Sequence, residues 1–274
     1  MTGPAALSVD RVSMAYQTRR SHTSALADCS AEIAAGELHV IVGPSGCGKT
    51  TLLGAIAGFH GIAAGEIRLD GKPLCAPGKP AEPGADRVVV FQHSTLFPWR
   101  TVLANVSYGP VVQGRCSRSE AHQLARERLR LAGLADVADR YPAELSSGTQ
   151  RRVEIVRALV NDPKVLLLDE PFRGMDAIAR GIMHEALLEL YDRAGTTVVF
   201  ITHDIEEAVF LGSNVSVMSA RPGAVKATVK IDLPRPRRIS VRASAHYGEL
   251  VAEILDEVRG EATRAFTAGD REVA

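Results

Sequence analysis

An α/β fold built on a mainly parallel sheet is the architecture this chain predicts, and three observations carry that expectation. Apolar, β-branched runs alternate with helical patterns along most of the length. Two of the runs, ELHVIVG (37–43) and PKVLLLDE (163–170), contain almost nothing polar, as strands covered on both faces do. Between about residues 95 and 160 the pattern holds helices without strands, which predicts a helical block inserted into the α/β core.

The elements follow in order. Residues 7–42 read as short strands with turns, closing on the buried strand at 37–43, which ends in glycine. A helix is expected from about Lys49 to Ala57. GEIRLDGKPL (65–74) alternates apolar and polar residues around a DG turn. CAPGKPAEPGAD (75–86) is loop by its proline and glycine, and RVVVFQ (87–92) is a further strand. SRSEAHQLARERLRLAGL (117–134) reads as a helix capped by Ser117 or Ser119, with Gly133 near its end. A second helix opens within LSSG and runs to about Asn161, with Val153, Val156, Leu159 and Val160 as its apolar face. The helix from about Asp176 to Ala194 places Ile178, Ile182, Ala186 and Leu190 on one stripe. TTVVFITHD (196–204) is a buried strand, IEEAVFLG (205–212) a short helix and NVSVMSA (214–220) the last strand. A proline-rich joint then leads to a small helix at HYGELVAEILDEV (246–258). No internal repeat is visible.

Composition limits what the chain can do. Its 274 residues are 46 % hydrophobic, and 32 basic residues balance 32 acidic ones, so no overall field draws in nucleic acid. The densest basic run, PRPRR (234–238), reads as a solvated linker because of its two prolines. Cys29, Cys47, Cys75 and Cys116 form no CxxC pair, which argues against zinc or redox chemistry and fits a reducing compartment. The N-terminal MTGPAALSVD lacks a basic region followed by an apolar run, so no secretory signal is expected. No apolar stretch approaches the roughly 18 residues that cross a bilayer, so any membrane role comes through a partner.

Two segments carry the chemistry. GPSGCGKT (43–50) satisfies G-x-x-x-x-G-K-[ST] between an expected strand and helix. Its glycines let backbone N–H groups converge on phosphates, Lys49 brings a point charge to the β- and γ-phosphates, and Thr50 offers a hydroxyl to Mg²⁺. VLLLDE (165–170) delivers Asp169 to the carboxyl end of a buried strand, where ligands sit in open α/β sheets, and there it can hold Mg²⁺ through water. Glu170 can orient or deprotonate the water that attacks the γ-phosphate. LSSGTQRR (145–152) adds a Ser-Ser-Gly turn into a helix with Arg151 and Arg152 in its first turns, a second place suited to anions. Gln92 and His203, each near a strand end, cannot be assigned from spacing alone.

With these motifs in this order, the chain from about residue 8 to 236 resembles the nucleotide-binding subunit of ATP-binding cassette transporters. The resemblance implies a RecA-like P-loop NTPase core with an N-terminal antiparallel β subdomain and an inserted α-helical subdomain. The implied division is an ATPase domain over 1–236, with the helical insertion at about 95–160, and a C-terminal helical extension over 237–274. Tyr16 occupies the place of the aromatic that stacks on adenine. Gly43, Pro44, Ser45, Gly46, Cys47, Gly48, Lys49, Thr50 and Thr51 match the Walker A loop. Gln92 matches the Q-loop glutamine that touches Mg²⁺, Asp169 the Walker B aspartate, Glu170 the catalytic glutamate, Asp176 the D-loop aspartate, and His203 the switch histidine.

LSSGTQ stands where this family has LSGGQ or LSGGMQ, the signature that caps the ATP of a second, head-to-tail copy. Ser146 and Gly148 are the residues implied for that contact. Ser147 replaces a glycine and would strain the turn if the position needs a positive φ. PFRGMD (171–176) departs from the related PFGALD, and Arg173 is open to pairing with a phosphate, a carboxylate or solvent.

AGF (57–59), THDIEEAVFL (202–211) and MSARPG (218–223) look most like the ATPase subunits of taurine, alkanesulfonate and nitrate importers. That likeness implies transmembrane permease subunits, indirectly a solute-binding protein, and a peripheral position on the cytoplasmic face of the inner membrane. An exporter or lipid-transport ATPase, a soluble non-transport cassette and a degenerate ATP-binding module are the alternatives. In HSTLFPWRTVLANV (93–106), Leu96, Phe97, Pro98 and Trp99 serve either the packing of the helical insertion or a groove for a permease helix.

Overall fold

A computed structural model of the chain describes residues 3–17 and 22–267. These divide into two compact units, one made of Pro4–Gly84 with the chain from Thr197 onward, the other of Ala85–Thr196.

Along the chain, the first unit opens with β1 (Leu7–Gln17) and β2 (His22–Ile33), an antiparallel pair. These are long strands rather than the short ones expected. Leu7, Val9, Val12 and Met14 are all buried, so the alternation slips by one residue between Val9 and Val12. An inserted residue of this kind bulges a strand and hides its period of two from a sequence reading. β3 (Leu38–Val42) is buried throughout, and α1 (Lys49–Ala57) begins and ends as expected, closed by Gly58 at φ +87°. β4 (Ala64–Leu69) and β5 (Lys72–Cys75) complete a four-stranded antiparallel sheet in the order β2-β1-β4-β5.

The Ala85–Thr196 unit starts with β6 (Arg87–Val90), then α2 (Val102–Val106), α3 (Tyr108–Val112), α4 (Arg118–Leu131) and α5 (Ser147–Leu159). Ser117, not Ser119, caps α4: it accepts from the Glu120 N–H while the Glu120 carboxylate accepts from the Ser117 N–H. Val102, Val106, Leu129, Val153, Val156 and Val160 form the heart of the helical core. β7 (Val165–Asp169) runs parallel to β6, with Val90 opposite Leu168. α6 (Ala177–Ala194) bears out only the far end of the expected stripe, where Leu190 packs partly buried against the helical core. Its buried face is Met183, His184, Leu187 and Leu188, whereas Ile178 and Ile182 are 79 % and 61 % exposed. Two apolar rows run along this helix, and burial is set by which row meets the core, not by period alone.

From Thr197 the first unit resumes with β8 (Thr197–Ile201), α7 (Ile205–Leu211), β9 (Asn214–Met218), β10 (Val225–Lys230) and α8 (Ala245–Thr267). β3 lies between β8 and β9, parallel to both. β10, an edge strand absent from the sequence reading, pairs antiparallel with β9. Its exposed lysines, Lys226 and Lys230, are of the kind that discourage an edge strand from pairing with other chains.

The PRPRR run is not the solvated linker it resembles. Arg237 is only 4 % exposed, and its Nη1 donates to the carbonyls of Val209, Phe210 and Gly212 at 3.3, 2.9 and 2.7 Å. A guanidinium thus satisfies the open carbonyl end of α7, where a positive charge also suits the helix dipole.

Candidate active site

In the first unit the phosphate-type loop grows from the carboxyl end of β3. Gly48 is the N-cap of α1 at φ +103°, and a Cβ there would lie 2.7 Å from Leu26 Cδ2 and 2.8 Å from the Ala25 carbonyl. Only glycine fits. Lys49 is buried, and its Nζ donates to the carbonyls of Gly43 and Pro44, both at 2.9 Å. The loop therefore curls around a cation poised at its centre, with Ser45, Gly46 and Thr50 exposed. The shape and charge suit a polyphosphate. Burial pushes the Cys47 thiol above its ordinary pKa, although Lys49 opposes the shift, so Cys47 stays a neutral packing group. Tyr16 lies half in solvent. Its hydroxyl meets Thr51 Oγ1 at 3.2 Å and its ring stands edge-on to His60, centroids 6.1 Å apart. His203 follows β8, exposed, one residue before Asp204, which caps α7 by accepting from the Glu207 N–H at 3.1 Å.

The Ala85–Thr196 unit carries the other motif residues. Gln92 lies two residues beyond β6 and Asp169 ends β7, so the parallel register brings Gln92, Asp169 and Glu170 to the same sheet end. Glu170 has φ +43°, a costly conformation for a residue with a Cβ, of a kind concentrated at functional sites. Arg173 Nη1 donates to Glu170 Oε2 at 3.2 Å, which decides its partner: a carboxylate. Asp176 is the N-cap of α6, its Oδ1 accepting from the N–H groups of Ile178 and Ala179 at 3.0 and 2.9 Å. Ser146 is the N-cap of α5, accepting from the Thr149 N–H at 3.2 Å. Ser147 is helical and absent from the positive-φ residues, so its substitution for glycine brings no strain. A Cβ at Gly148 would meet nothing within 4 Å, leaving open space over the helix start.

The two arginines after the signature are engaged by groups within the Ala85–Thr196 unit. Arg151 is buried. Its Nη1 donates to the Phe91 carbonyl at 2.6 Å and to Glu154 at 2.7 Å, and its Nη2 to the Gln92 carbonyl. Arg152 Nη2 caps the Ala132 carbonyl. Buried Glu154 accepts from the Thr95 N–H, and Arg157 donates to the Thr95 carbonyl at 2.8 Å. Three residues one helical turn apart on α5 therefore pin the 91–95 segment that contains Gln92. The sequence reading missed them because a charged row on a helix normally faces solvent; only the i, i+3, i+6 spacing of Arg151, Glu154 and Arg157 hinted at a common face.

In the same unit Leu96 joins the helical core while Trp99 remains 72 % exposed. Buried Asn105 fastens the intervening loop. Its Oδ1 accepts from the Phe97 N–H at 2.7 Å and its Nδ2 donates to the carbonyls of Phe97, Arg100 and Thr101 at 3.0–3.1 Å. Trp99, Phe97 and Tyr108 stack in sequence at 5.7 and 4.9 Å, with Arg100 4.8 Å over the Tyr108 ring.

A glycine loop curled around a buried lysine, and a buried strand ending in Asp-Glu, define a nucleoside-triphosphate-hydrolysing protein. A family profile described as ABC transporter matches residues 26–173. The taurine import ATP-binding protein of Rhizobium johnstonii is 44 % identical, over 90 % of this chain and 94 % of its own. The nitrate import ATP-binding protein of Synechocystis sp. is 38 % identical, over 96 % and 98 %. Among solved structures, a dimeric post-hydrolysis state of an ATP-binding cassette bound to ADP and Pi superposes with a TM-score of 0.69 at 29 % identity, over 83 % of this chain and 100 % of that one. The chain belongs to the ABC transporter family and is one of its ATP-binding, ATP-hydrolysing cassettes. No helix among the described residues is long and apolar enough to cross a membrane.

Proposed function

We propose that this chain energises an importer for a small anion such as nitrate, taurine or an aliphatic sulfonate, hydrolysing ATP at the cytoplasmic face of the inner membrane. The observation that carries this reading is the likeness to taurine and nitrate import ATP-binding proteins over nine-tenths or more of both chains. Residues 1–236 act as the ATPase domain, with its helical insertion at about 95–160, and 237–274 as a C-terminal extension.

Tyr16 receives the adenine, and Gly43 to Thr51 hold the phosphates. The Lys49 ammonium exchanges its two loop carbonyls for phosphate oxygens. Thr50, Gln92 and Asp169 offer oxygen donors of the hard kind that Mg²⁺ takes; bound there, the ion would neutralise charge developing on the phosphates. Glu170 accepts the proton of the attacking water, and His203 stabilises the γ-phosphate end. Ser146 and Gly148 cap the nucleotide of a second copy arranged head to tail, and Asp176 stands beside that contact. Hydrolysis then removes the shared ligand, and the pair loosens by as much as ATP favoured the closed state.

Transmembrane permease subunits are the second partner. The Trp99 cluster supports this, because a rigidly fastened aromatic left in solvent fits a docking surface better than a core. A solute-binding protein acts indirectly, and no nucleic acid is involved.

The test is to purify the intact complex through this subunit and add candidate solute-binding proteins with nitrate, taurine or a sulfonate. Stimulated ATPase with one of them supports the importer reading, and a complex that none stimulates counts against it. Glu170→Gln should bind ATP but lose turnover by at least about a hundredfold, as removal of a general base does.

A further inference from the structure

Between β9 and β10 the chain makes a tight turn, SARPGA (219–224), closed by the Ser219 N–H on the Ala224 carbonyl at 2.8 Å and the Ala224 N–H on Ser219 Oγ at 3.0 Å. The turn rests on the phosphate loop itself. Gly223 exchanges backbone hydrogen bonds with Ala25 and Ala27 at 2.9 and 3.1 Å, and a Cβ on Gly223 would fall 1.8 Å from the Cys47 carbonyl. At its tip, Arg221 donates through Nε and Nη2 to the Gly46 carbonyl at 3.2 and 3.1 Å. From its other side the turn is gripped by α8. Glu261, 3 % exposed, accepts from the Ala220 N–H at 3.2 Å, and its other oxygen takes Arg264 at 2.7 Å and Lys226 of β10 at 3.4 Å.

We propose that Arg221 is a positioning residue for the nucleotide cradle, and that α8 holds it there through Glu261. The proposal rests on the reading of residues 43–51 as that cradle. A peptide plane carries a carbonyl on one edge and an N–H on the other. Fixing the Gly46 carbonyl therefore fixes the direction of the Cys47 N–H, which donates to the Pro44 carbonyl at 3.3 Å. That bond holds the loop in the curl a phosphate cradle needs for its N–H groups to converge, and Gly46, at φ +74°, has the backbone freedom to swing away. The guanidinium removes that freedom before nucleotide arrives. Glu261 fixes the residue beside Arg221, so the C-terminal helix becomes part of the nucleotide site without touching the ligand.

The test uses the full chain and three readouts: ATP affinity by calorimetry, steady-state KM and kcat, and thermal melting. Arg221→Ala should raise Kd and KM for ATP about fivefold or more, of the order expected for a lost charged hydrogen bond, with kcat much less affected. Arg221→Lys should recover only part of the loss, because one ammonium does not reproduce the fork. Glu261→Gln should weaken binding in the same direction, and Arg221→Ala/Glu261→Gln should be no worse than Arg221→Ala alone. A folded Arg221→Ala or Arg221→Lys chain with wild-type Kd overturns the positioning role, whatever happens to its melting temperature. Losses that simply add in the double variant overturn the link to α8. Lys49→Ala separates the two readings: if it binds ATP like the wild type, the cradle assignment itself has failed.

Discussion

Gly48 shows how tightly single positions are constrained. Its φ of +103° and the Ala25 carbonyl leave no room for a methyl group. Gly48→Ala is expected to cost about 3 kcal/mol or more, from backbone strain and a backbone clash together, and to abolish ATP binding; urea unfolding and calorimetry measure the two effects. Ser147 is the opposite case. Written beside LSGGQ it looks like a defect, but its helical backbone accepts a side chain, so Ser147→Gly should leave melting within about a degree or two or lower it slightly, as exposed helical glycines do. A motif spells out residue types and leaves the local φ unstated, which is why the sequence raised the question and could not close it. The same holds for Arg173: its charge was plain, while its pairing with Glu170 depends on the turn between them.

α7 is short, and its carbonyl end is satisfied from outside by Arg237. Replacing that arginine with methionine keeps much of the bulk and leaves the three carbonyls without their charged donor. A loss of about 3 kcal/mol is expected by denaturant unfolding. α8 has its own fastening, where His246 Nε2 meets Asp232 Oδ1 at 2.5 Å, with Glu249 at 3.4 Å on the other ring nitrogen. The hydrogen bond to Asp232, then that to Glu249, raises the His246 pKa above 6.5, so its contribution is complete below about pH 6.5 and fades as pH climbs through the raised folded value. Asp232 is lowered from 3.8, first by the same hydrogen bond, so its share is present above that value and is lost as pH falls through the lower folded one. Amide protection at the start of α8, expressed relative to the base-catalysed intrinsic exchange rate, should therefore be higher in mild acid than at alkaline pH, and His246→Ala should flatten that difference.

Strong periods and punctuation were readable in advance: α1 between Gly48 and Gly58, β7 as a continuous apolar run, and α4 behind a serine cap at 117 or 119. What escaped were features set by contacts distant in sequence. The bulge in β1 depends on its partner strands, the buried row of α6 on the core it meets, and β10 on β9 being there to pair with.

For the assembled protein, the head-to-tail proposal makes nucleotide a structural ligand. Glu170→Gln with ATP and Mg²⁺ should elute as a dimer, revert to monomer when nucleotide is removed, and fail to dimerise when Ser146→Arg fills the space over α5. Trp99→Ala should leave ATP affinity and melting nearly unchanged, since the ring is mostly in solvent, yet uncouple hydrolysis from uptake in reconstituted vesicles; a chain that no longer folds would mean the ring belongs to the core. Arg237 also bears on where the chain can be cut. A protein ending at residue 236 loses the plug at the foot of α7, the helix that follows His203, whereas one ending at 238 retains it. Two truncated chains differing by a pair of arginines should therefore differ in solubility far more than their near-identical lengths would lead one to expect.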